Sequence, residues 1–329
     1  MREIKAVFVD IEGTLKNIDG SLSEMTEEYL KRLKDADIPV VITSGLPRFI
    51  TKEISKEVNA SKYVISSNGA DVYDRENDKV ISASYLDKDI LNSIFEMCHP
   101  EHNVIIGFGD GELSNTYNEY NKNAKIITSD DDLSSLDVLQ WHISQKKANI
   151  DENFCYFLLK REIIRYADIV SQFVGEELVY KLICSRKLDD LSQIEIRRLT
   201  RAIRFVKLQM LKDNILGSFS GKVTLGNQCE DFISYGERNE TPWFSVNNFG
   251  VSKGSGIINL CNYLDISTND VLAIGNDYND LSMQRVAGYF ASPIDRKRFV
   301  NGSSIISYDR INNGVGEVLK RVYEINTRR

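Results

Sequence analysis

Short, continuously apolar runs alternate with amphipathic segments over the first quarter of the chain. Residues 6–9, 38–42 and 63–67 are apolar runs rich in β-branched residues, a pattern typical of strands buried on both faces of a sheet. Two segments between them, which begin near Ser23 and Arg48, carry apolar residues at helical spacing. The order strand, helix, strand, helix, strand with short connections predicts a parallel α/β sheet.

The same alternation returns near residue 245. Residues 251–264 predict a helix, residues 271–275 predict a strand that leads into an acidic loop, and residues 289–291 predict a last short strand. The intervening part of the chain mixes short alternating segments with polar loops. We therefore expect an α/β fold that consists of a Rossmann-like parallel sheet core and an inserted α+β cap domain.

The change in the pattern of apolar and polar residues also predicts the domain boundaries. The core is expected to comprise residues 1–75 and 245–329, and the cap is expected to comprise residues 76–244. The length of 329 residues independently favours two domains. In a parallel α/β core, a ligand is expected at the carboxyl ends of the strands, where the loops converge.

Composition and charge exclude several classes of partner. The chain has 41 basic and 48 acidic residues, and this net charge of −7 argues against nucleic acid or an anionic membrane as the main partner. The N-terminus lacks the apolar segment of a signal peptide, and no apolar stretch reaches about 18 residues. None of the five cysteines forms a CxxC pair, so we expect buried thiols in a reducing compartment. These features predict a cytoplasmic protein without a membrane anchor and favour no particular oligomeric state.

Polar side chains stand where the predicted core strands end or the following helices begin. They are Asp10, Glu12, Ser44, Asn68, Lys253, Asp277 and Asp280. Because the carboxyl ends of parallel strands meet at one edge of a sheet, we expect these groups to converge. Clustered carboxylates repel one another unless a cation lies among them, and oxygen ligands beside a neutral amide suit Mg²⁺.

Such a set of groups can carry out phosphoryl transfer. One carboxylate can attack phosphorus and form an aspartyl-phosphate. A second carboxylate two residues later can protonate the leaving oxygen and then activate water. A lysine can neutralise the carboxylates and the incoming phosphate, while a serine and backbone N–H groups hold the phosphoryl oxygens. Any one of these residues could equally be a helix cap or a solvated loop residue, but polar groups at four strand ends together favour a site.

Four short motifs follow one another along the predicted core. They are DIEGT at 10–14, ITSG at 42–45, VSKG at 251–254 and GNDYND at 275–280, with the run SNGA at 67–70 after the second of them. In this order and strand context they resemble the motifs of the haloacid dehalogenase superfamily of Mg²⁺-dependent phosphatases, in particular its Cof-type branch with a type-2 cap. The resemblance covers both ends of the chain, whereas the cap matches only in its position between the second and third motifs.

The resemblance implies a role for each motif residue. Asp10 would be the nucleophile, and Glu12 would be the general acid and base, with its backbone carbonyl near the metal. Ser44 would hold the phosphoryl group, and Lys253 would balance the charge around the nucleophile. The implied catalytic residues are Asp10, Glu12, Ser44 and Lys253, the implied substrate-binding residues are Ser44, Gly45, Asn68 and Lys253, and the implied metal ligands are Asp10, Glu12, Asn276, Asp277 and Asp280.

Two motif positions depart from the family pattern. Glu12 stands where Asp is usual, although the DIEGT sequence also resembles the opening of the enolase-phosphatases. Asn276 occupies the slot of the usual metal-binding Asp. Either Asn276 binds the metal through its amide oxygen, or the loop shifts and Asp277 or Asp280 carries the charge.

Two groups of arginines leave alternatives open. The second motif usually continues with Arg, but Leu46 follows Gly45 here and Arg48 comes two residues later. Arg48 either substitutes for the missing Arg or is a surface residue at a helix start. Arg197, Arg201 and Arg204 share a face of a predicted helix, with Arg198 beside it, and they either reach anionic groups of a substrate or form a solvated face.

The expected function is hydrolysis of a small phosphorylated metabolite, such as a sugar phosphate, with Mg²⁺ as cofactor. This expectation follows from the resemblance, because type-2 caps of this family close over small ligands. A phosphomutase is one alternative, since it shares the aspartyl-phosphate but returns the phosphoryl group to the sugar. A binding or regulatory module without turnover is the other, and the departures at Glu12 and Asn276 motivate it.

Overall fold

The structure is a computed structural model that describes residues 3–16, 20–98, 102–108, 138–145, 170–171, 174–184, 192–227, 243–294, 305–309 and 314–327. In chain order its strands are β1 (Ala6–Val9), β2 (Val40–Thr43), β3 (Tyr63–Ser66), β4 (Asp71–Asp74), β5 (Lys79–Ala83), β6 (His102–Phe108), β7 (Val138–Gln145), β8 (Val223–Asn227), β9 (Trp243–Asn248), β10 (Val271–Ile274), β11 (Tyr289–Pro293) and β12 (Ile305–Tyr308). Its helices are α1 (Glu24–Asp35), α2 (Arg48–Glu57), α3 (Lys88–Cys98), α4 (Glu176–Cys184), α5 (Gln193–Ser218), α6 (Lys253–Leu264), α7 (Leu281–Val286) and α8 (Gly316–Thr327). Three short 3₁₀ turns cover Ser67–Gly69, Thr268–Asp270 and Tyr278–Asp280.

The larger sheet, called the core sheet below, has eight strands in the order β12-β11-β10-β1-β2-β3-β4-β5. Its first six strands run parallel, and β4 and β5 extend it as antiparallel strands. The first strand of the chain is central, because β1 pairs with β10 on one side and with β2 on the other. The predicted Rossmann-like α/β core is therefore confirmed.

Helices cover both faces of the core sheet. Val7 and Val9 pack in a cluster with residues of α1 and α8, among them the fully buried Leu33. Phe8 points to the other face and packs in a second cluster with α6 residues such as Leu260. A strand that is covered on both faces must be apolar at every position, which explains why the core strands were readable as continuous apolar runs.

The smaller sheet, called the four-stranded sheet below, is entirely antiparallel and has the order β6-β7-β9-β8. The helices α3 and α5 supply buried residues to its hydrophobic cluster, including Leu91 and Leu208, which pack with Phe244 of β9. The helix α5 begins at a capping box formed by Ser192 and Glu195. This combination of an antiparallel sheet and helices is the expected α+β insert.

Sheet membership differs slightly from the expected domain boundaries. β5 lies beyond the expected limit at residue 75 but belongs to the core sheet, and β9 begins at Trp243 but belongs entirely to the four-stranded sheet. We therefore propose that the chain leaves the core near residue 84 and returns to it near residue 249. The sequence pattern missed β5 because it is an edge strand whose Lys79 and Val80 are exposed, so it lacks a continuous apolar run.

Two further expectations concern membranes and thiols. Within the described ranges, no helix combines the length and the apolar character needed to cross a membrane. Cys98 and Cys261 are buried free thiols, and burial raises the pKa of Cys98 to about 12 and that of Cys261 to about 11. These two thiols therefore stay protonated near neutral pH. Cys155 and Cys229 lie outside the described residues.

Candidate active site

The loops at the carboxyl ends of the core strands converge on Asp10. The N–H of Asp10 continues the parallel ladder of β1 by donating to the carbonyl of Ile274 at 3.0 Å. Since β2 and β10 flank β1, the segments that follow them, beginning at Ser44 and Gly275, lie on either side of Asp10. The structure thus brings the first, second and fourth motifs to one edge of the sheet.

Lys253 is the first residue of α6, and its ammonium lies between two carboxylates. Ser252 caps α6 by accepting a hydrogen bond from the N–H of Ser255 at 3.1 Å, which fixes where the helix starts. From this position, Nζ of Lys253 donates to Oδ1 of Asp10 at 2.5 Å and to Oδ1 of Asp280 at 2.7 Å. All three side chains are buried, and a buried ammonium is tolerated only when it is paired this closely.

Burial and charge set the ionisation of this cluster. Burial raises the pKa of Asp10 to about 7; Lys253 opposes the shift, and the negative charges of Asp280 and Glu12 add to it. Burial by itself lowers the pKa of Lys253, but Asp10 and Asp280 together raise it well above its ordinary value. Lys253 therefore stays charged near neutral pH and holds two like charges close to each other.

The acidic loop, residues 275–280, folds around the side chain of Asp280. Oδ2 of Asp280 accepts hydrogen bonds from the N–H groups of Asn276 at 2.8 Å and Asp277 at 3.0 Å. A Cβ on Gly275 would lie 2.4 Å from the Cβ of Asp280, so the loop can close only with glycine at that position. Both oxygens of Asp280 therefore accept hydrogen bonds from protein groups, and these bonds fix the loop and Lys253 around this side chain.

Asn276 carries the buried oxygen in this loop that best suits a metal ion. Its side chain is 7% exposed, and its Oδ1 has no hydrogen-bond partner within the described residues. A buried amide oxygen without a donor is costly unless a cation or a water lies beside it. Asp277, in contrast, caps the following turn, because its Oδ1 accepts from the N–H of Tyr278 at 2.7 Å. The sequence left Asn276, Asp277 and Asp280 open as metal ligands, and on this geometry we propose Asn276.

The donor set is compatible with a hard cation but not with a site made of carboxylates alone. In the part of the chain that the structure describes, no group of three or more His, Cys, Asp and Glu side chains could hold a metal ion. A Mg²⁺ site at this edge would instead combine the carboxylate of Asp10 with the amide oxygen of Asn276 and backbone carbonyl oxygens. Oxygen ligands of this kind fit Mg²⁺, which keeps several waters and needs only one or two carboxylates.

Glu12 and Ser44 differ in exposure. Glu12 is exposed, yet its charge raises the pKa of Asp10, so the two carboxylates are within electrostatic reach of each other. Ser44 is 3% exposed, and its Oγ accepts a hydrogen bond from the N–H of Leu46 at 3.0 Å. This bond uses an oxygen lone pair, so the hydroxyl of Ser44 can still donate to a phosphoryl oxygen.

Asn68 lies where the two sheets meet. Its N–H donates to the carbonyl of Ser44 at 3.0 Å, and its Oδ1 lies 3.0 Å from the position that a Cβ of Gly45 would take. Its Nδ2 donates to Oγ of Ser245 in β9 at 3.2 Å. Ser245 was not identifiable as a site residue from the sequence. It is one of three polar residues in β9, and a polar position in a strand usually indicates a solvent-facing side chain, whereas Ser245 is 1% exposed.

Arg48 forms a buried ion pair, so the interpretation as a surface residue at a helix start is wrong. It is buried, its Nε donates to Oδ2 of Asp71 at 2.7 Å, and its Nη2 donates to Oδ1 of the same carboxylate. The guanidinium also lies over the ring of Tyr73, 4.7 Å from the centroid. This buried ion pair joins α2 to β4.

The arginines of α5 differ in exposure, and Arg201 and Arg204 are half-buried. Arg198 is exposed, as a solvated helix face would require, whereas Nε of Arg204 is buried without a hydrogen-bond partner among the described residues. The side chain of Arg197 lies outside the described residues. The face is therefore only partly solvated.

Comparison with known proteins agrees with this geometry. A sequence profile of haloacid dehalogenase-like hydrolases matches residues 7–194 and 208–291. The 5-amino-6-(5-phospho-D-ribitylamino)uracil phosphatase YwtE of Bacillus subtilis is 25% identical over 300 residues, which cover 87% of this chain and 86% of that protein.

Solved structures show the same fold. A haloacid dehalogenase-like hydrolase from Bacteroides thetaiotaomicron superposes with a TM-score of 0.63 at 17% identity, covering 97% of this chain and 100% of that one. The HAD subclass IIB sugar phosphatase BT4131 superposes with a TM-score of 0.59 at 15% identity, covering 98% and 99% of the two chains. At these identities the likeness concerns the fold alone.

Asn276→Asp should tighten Mg²⁺ binding. The substitution adds a negative charge where a buried neutral oxygen now lies, and we expect the dissociation constant to fall by about tenfold or more. Isothermal titration of the purified protein with MgCl₂ measures this change. Asp277→Asn is the matched control, because it alters the charge of the neighbouring residue and should leave the affinity within about twofold. A larger effect of Asp277→Asn than of Asn276→Asp would identify Asp277 as the ligand.

Arg48→Met should destabilise the fold rather than the chemistry. Removing the guanidinium leaves the buried carboxylate of Asp71 without its cation, so we expect the free energy of unfolding to fall by about 3–5 kcal/mol. Urea denaturation measures the loss. The double variant Arg48→Met/Asp71→Asn should recover part of it, because the unpaired charge is then absent. A loss below about 1 kcal/mol for Arg48→Met would contradict a buried pair.

Proposed function

Because the chain belongs to the haloacid dehalogenase-like hydrolase family, we propose that it is a Mg²⁺-dependent phosphatase that hydrolyses a small phosphorylated metabolite through an aspartyl-phosphate. The family match covers the first core segment from residue 7, the second as far as residue 291 and most of the insert, and it bears out the resemblance seen in the four motifs. The observation that carries the proposal is the buried Asp10 carboxylate held by Lys253 at the carboxyl edge of the core sheet.

The proposed metal site supplies charge neutralisation. A divalent ion held by Asp10, Asn276 and a backbone carbonyl such as that of Glu12 would offset the negative charge of the phosphoryl oxygens. Lys253 adds a fixed positive charge next to Asp10, so a phosphate dianion can approach a site that otherwise carries two buried carboxylates.

The first proposed step transfers the phosphoryl group to Asp10. Lys253 occupies Oδ1, so we assign the attack on phosphorus to Oδ2, which forms an Oδ2–P bond as the bond from phosphorus to the leaving oxygen breaks. Glu12 in its acid form gives its proton to the leaving alcohol oxygen. Ser44 and Lys253 donate hydrogen bonds to the phosphoryl oxygens during this transfer.

The second proposed step releases inorganic phosphate. Glu12, now a carboxylate, takes a proton from a water molecule, and the water oxygen attacks the phosphorus of the aspartyl-phosphate. The Oδ2–P bond breaks, which restores the carboxylate of Asp10 and the acid form of Glu12. Glu12 is exposed, which suits its role, because the alcohol must leave and a water molecule must take its place beside this carboxylate between the two steps.

We propose a phosphate ester of a sugar or sugar alcohol as the substrate class. YwtE is named for a ribityl phosphate, and BT4131 is named as a sugar phosphatase, so two similar proteins carry names of this class. In this chain β8 lies close to the 278–280 turn, which brings the four-stranded sheet over the strand ends. The alcohol part of the substrate would lie between the two sheets.

Asp10→Asn should abolish phosphate release. An amide cannot act as the nucleophile, and we expect kcat to fall by at least about 10³-fold. The assay measures inorganic phosphate from a panel of sugar phosphates, sugar-alcohol phosphates including 5-amino-6-(5-phospho-D-ribitylamino)uracil, and p-nitrophenyl phosphate, with MgCl₂ or with EDTA.

Each outcome of this panel is informative. Mg²⁺-dependent release by the wild type, lost in Asp10→Asn, supports the proposal. Isomerisation of a sugar phosphate without net release would indicate a phosphomutase. Ligand binding that is independent of Mg²⁺ and unchanged in Asp10→Asn, with no release from any ester, would indicate a binding module and overturn the phosphatase.

Glu12→Gln should slow the second step more than the first when the leaving group is good. p-Nitrophenolate leaves without a proton, so formation of the aspartyl-phosphate needs no acid, whereas attack by water still needs a base. Rapid mixing of Glu12→Gln with p-nitrophenyl phosphate should therefore give a burst of nitrophenolate close to one equivalent of enzyme, followed by a slow phase. Equal slowing with no burst would contradict the assigned base.

A further inference from the structure

The turn between β3 and β4, here called the 67–69 turn, has an uncommon backbone. Ser67, Asn68 and Gly69 have successive φ values of 50°, 55° and 91°. Left-handed backbone is unfavourable for Ser and only tolerated by Asn, so two such residues in a row must be held by their surroundings. Strained backbone of this kind is concentrated at functional sites.

The four-stranded sheet holds this turn from one side. Nδ2 of Asn68 donates to Oγ of Ser245 at 3.2 Å, and Nδ2 of Asn247 donates to the carbonyl of Ser67 at 3.0 Å. Ser245 and Asn247 are each 1% exposed. Two buried polar side chains of β9 therefore point at the 67–69 turn, where an ordinary strand would present apolar groups.

The other side of the turn contacts the elements that carry the proposed chemistry. Oδ1 of Asn68 accepts a hydrogen bond from Nδ2 of Asn279, in the acidic loop, at 3.4 Å. The N–H of Asn68 donates to the carbonyl of Ser44 at 3.0 Å. A Cβ on Gly69 would lie 2.0 Å from the carbonyl oxygen of Ser252, the residue that caps the helix starting at Lys253. The turn thus touches the second, third and fourth motifs.

Two glycines leave room for the Asn68 amide and the Ser245 hydroxyl. A Cβ on Gly226 of β8 would come within 2.2 Å of Oγ of Ser245, and a Cβ on Gly45 would come within 3.0 Å of Oδ1 of Asn68. The hydroxyl of Ser245 and the amide of Asn68 therefore fill space that any larger residue at these glycines would occupy. The contact between the sheets is close-packed at this point.

We propose that Ser245 and Asn68 are positioning residues. The hydroxyl of Ser245 orients the amide of Asn68, and that amide sets the acidic loop through Asn279, so the position of the four-stranded sheet is transmitted to the proposed metal and phosphate site. This assignment rests on the proposed function. It also changes the role of Asn68, whose donor and acceptor both contact protein groups, from that of a direct substrate ligand.

A matched control lies on the same strand. Nδ2 of Asn248 donates to Oγ of Ser84 at 3.0 Å, which is also an amide–hydroxyl hydrogen bond between β9 and the segment that follows the core sheet. This pair makes no hydrogen bond to the acidic loop among those of the described residues. If the Ser245–Asn68 pair merely fastens the two sheets, removing either pair should have the same effect.

The first measurement separates binding from turnover. Ser245→Ala should lower kcat for p-nitrophenyl phosphate by about fivefold, the effect of losing one orienting hydrogen bond, with KM within about twofold. Asn248→Ala should leave both constants unchanged. Asn279→Ala removes the hydrogen bond between Asn68 and the acidic loop, which belongs to the same chain of contacts. The double variant Ser245→Ala/Asn279→Ala should therefore have a kcat no lower than that of the slower single variant. Additive losses, or equal effects of Ser245→Ala and Asn248→Ala, would overturn the assignment.

The second measurement does not depend on activity. The amides of Asn276 and Asp277 donate to Asp280, so their hydrogen exchange reports the order of the acidic loop. Exchange at these amides should be about fivefold faster in Ser245→Ala than in wild type and unchanged in Asn248→Ala. If the wild-type protein releases no phosphate from any ester but exchange is still faster in Ser245→Ala, the proposed function is rejected and the positioning role is kept. Normal phosphatase activity with unchanged exchange would reject the positioning role and keep the function.

Discussion

One buried ammonium holds the candidate site together. Lys253 contacts Asp10 and Asp280, and residues 253 and 10 are 243 positions apart in the chain. Without Lys253, two buried carboxylates would repel each other in a medium of low dielectric constant, and without the carboxylates the lysine would be an unpaired buried charge. The parallel order β10-β1-β2 matters because it brings the end of β1 between the acidic loop and the segment after β2. The core fold thus positions the charged side chains of Asp10, Asp280 and Lys253 next to one another.

The neutral side chain at position 276 fits this charge arrangement. Asp10 and Asp280 contribute two negative charges and Lys253 one positive charge, so the buried cluster carries a formal charge of −1 when all three are ionised. A carboxylate at position 276 would add repulsion beyond what Lys253 offsets. Asn276 instead presents a buried neutral oxygen, a type of group that a hard cation accepts as a ligand.

The sequence predicted the parts of the molecule that depend on local patterns. Continuous apolar runs identified the central parallel strands, because burial on both faces removes polar positions. Asp10 and Lys253 were identifiable from motifs next to such elements. Contacts between distant segments were not predictable: Arg48 finds its carboxylate partner 23 positions away, and Ser245 is polar in a strand whose environment is set by the other sheet. The dual role of Asp280 was likewise hidden, because the sequence shows a carboxylate but not which of its oxygens are engaged.

The strained 67–69 turn connects the energetics of the fold to those of the site. Left-handed backbone at Ser67 and Asn68 costs of order 1–3 kcal/mol per residue, and this cost must be offset by contacts that exist only in the assembled structure. Part of the compensation comes from Ser245 and Asn247 in the four-stranded sheet. Coupling of this kind is reciprocal. If the four-stranded sheet stabilises the turn, then the turn in its left-handed conformation stabilises the contact between the two sheets by the same free energy. The strained backbone and the contact between the sheets therefore depend on each other.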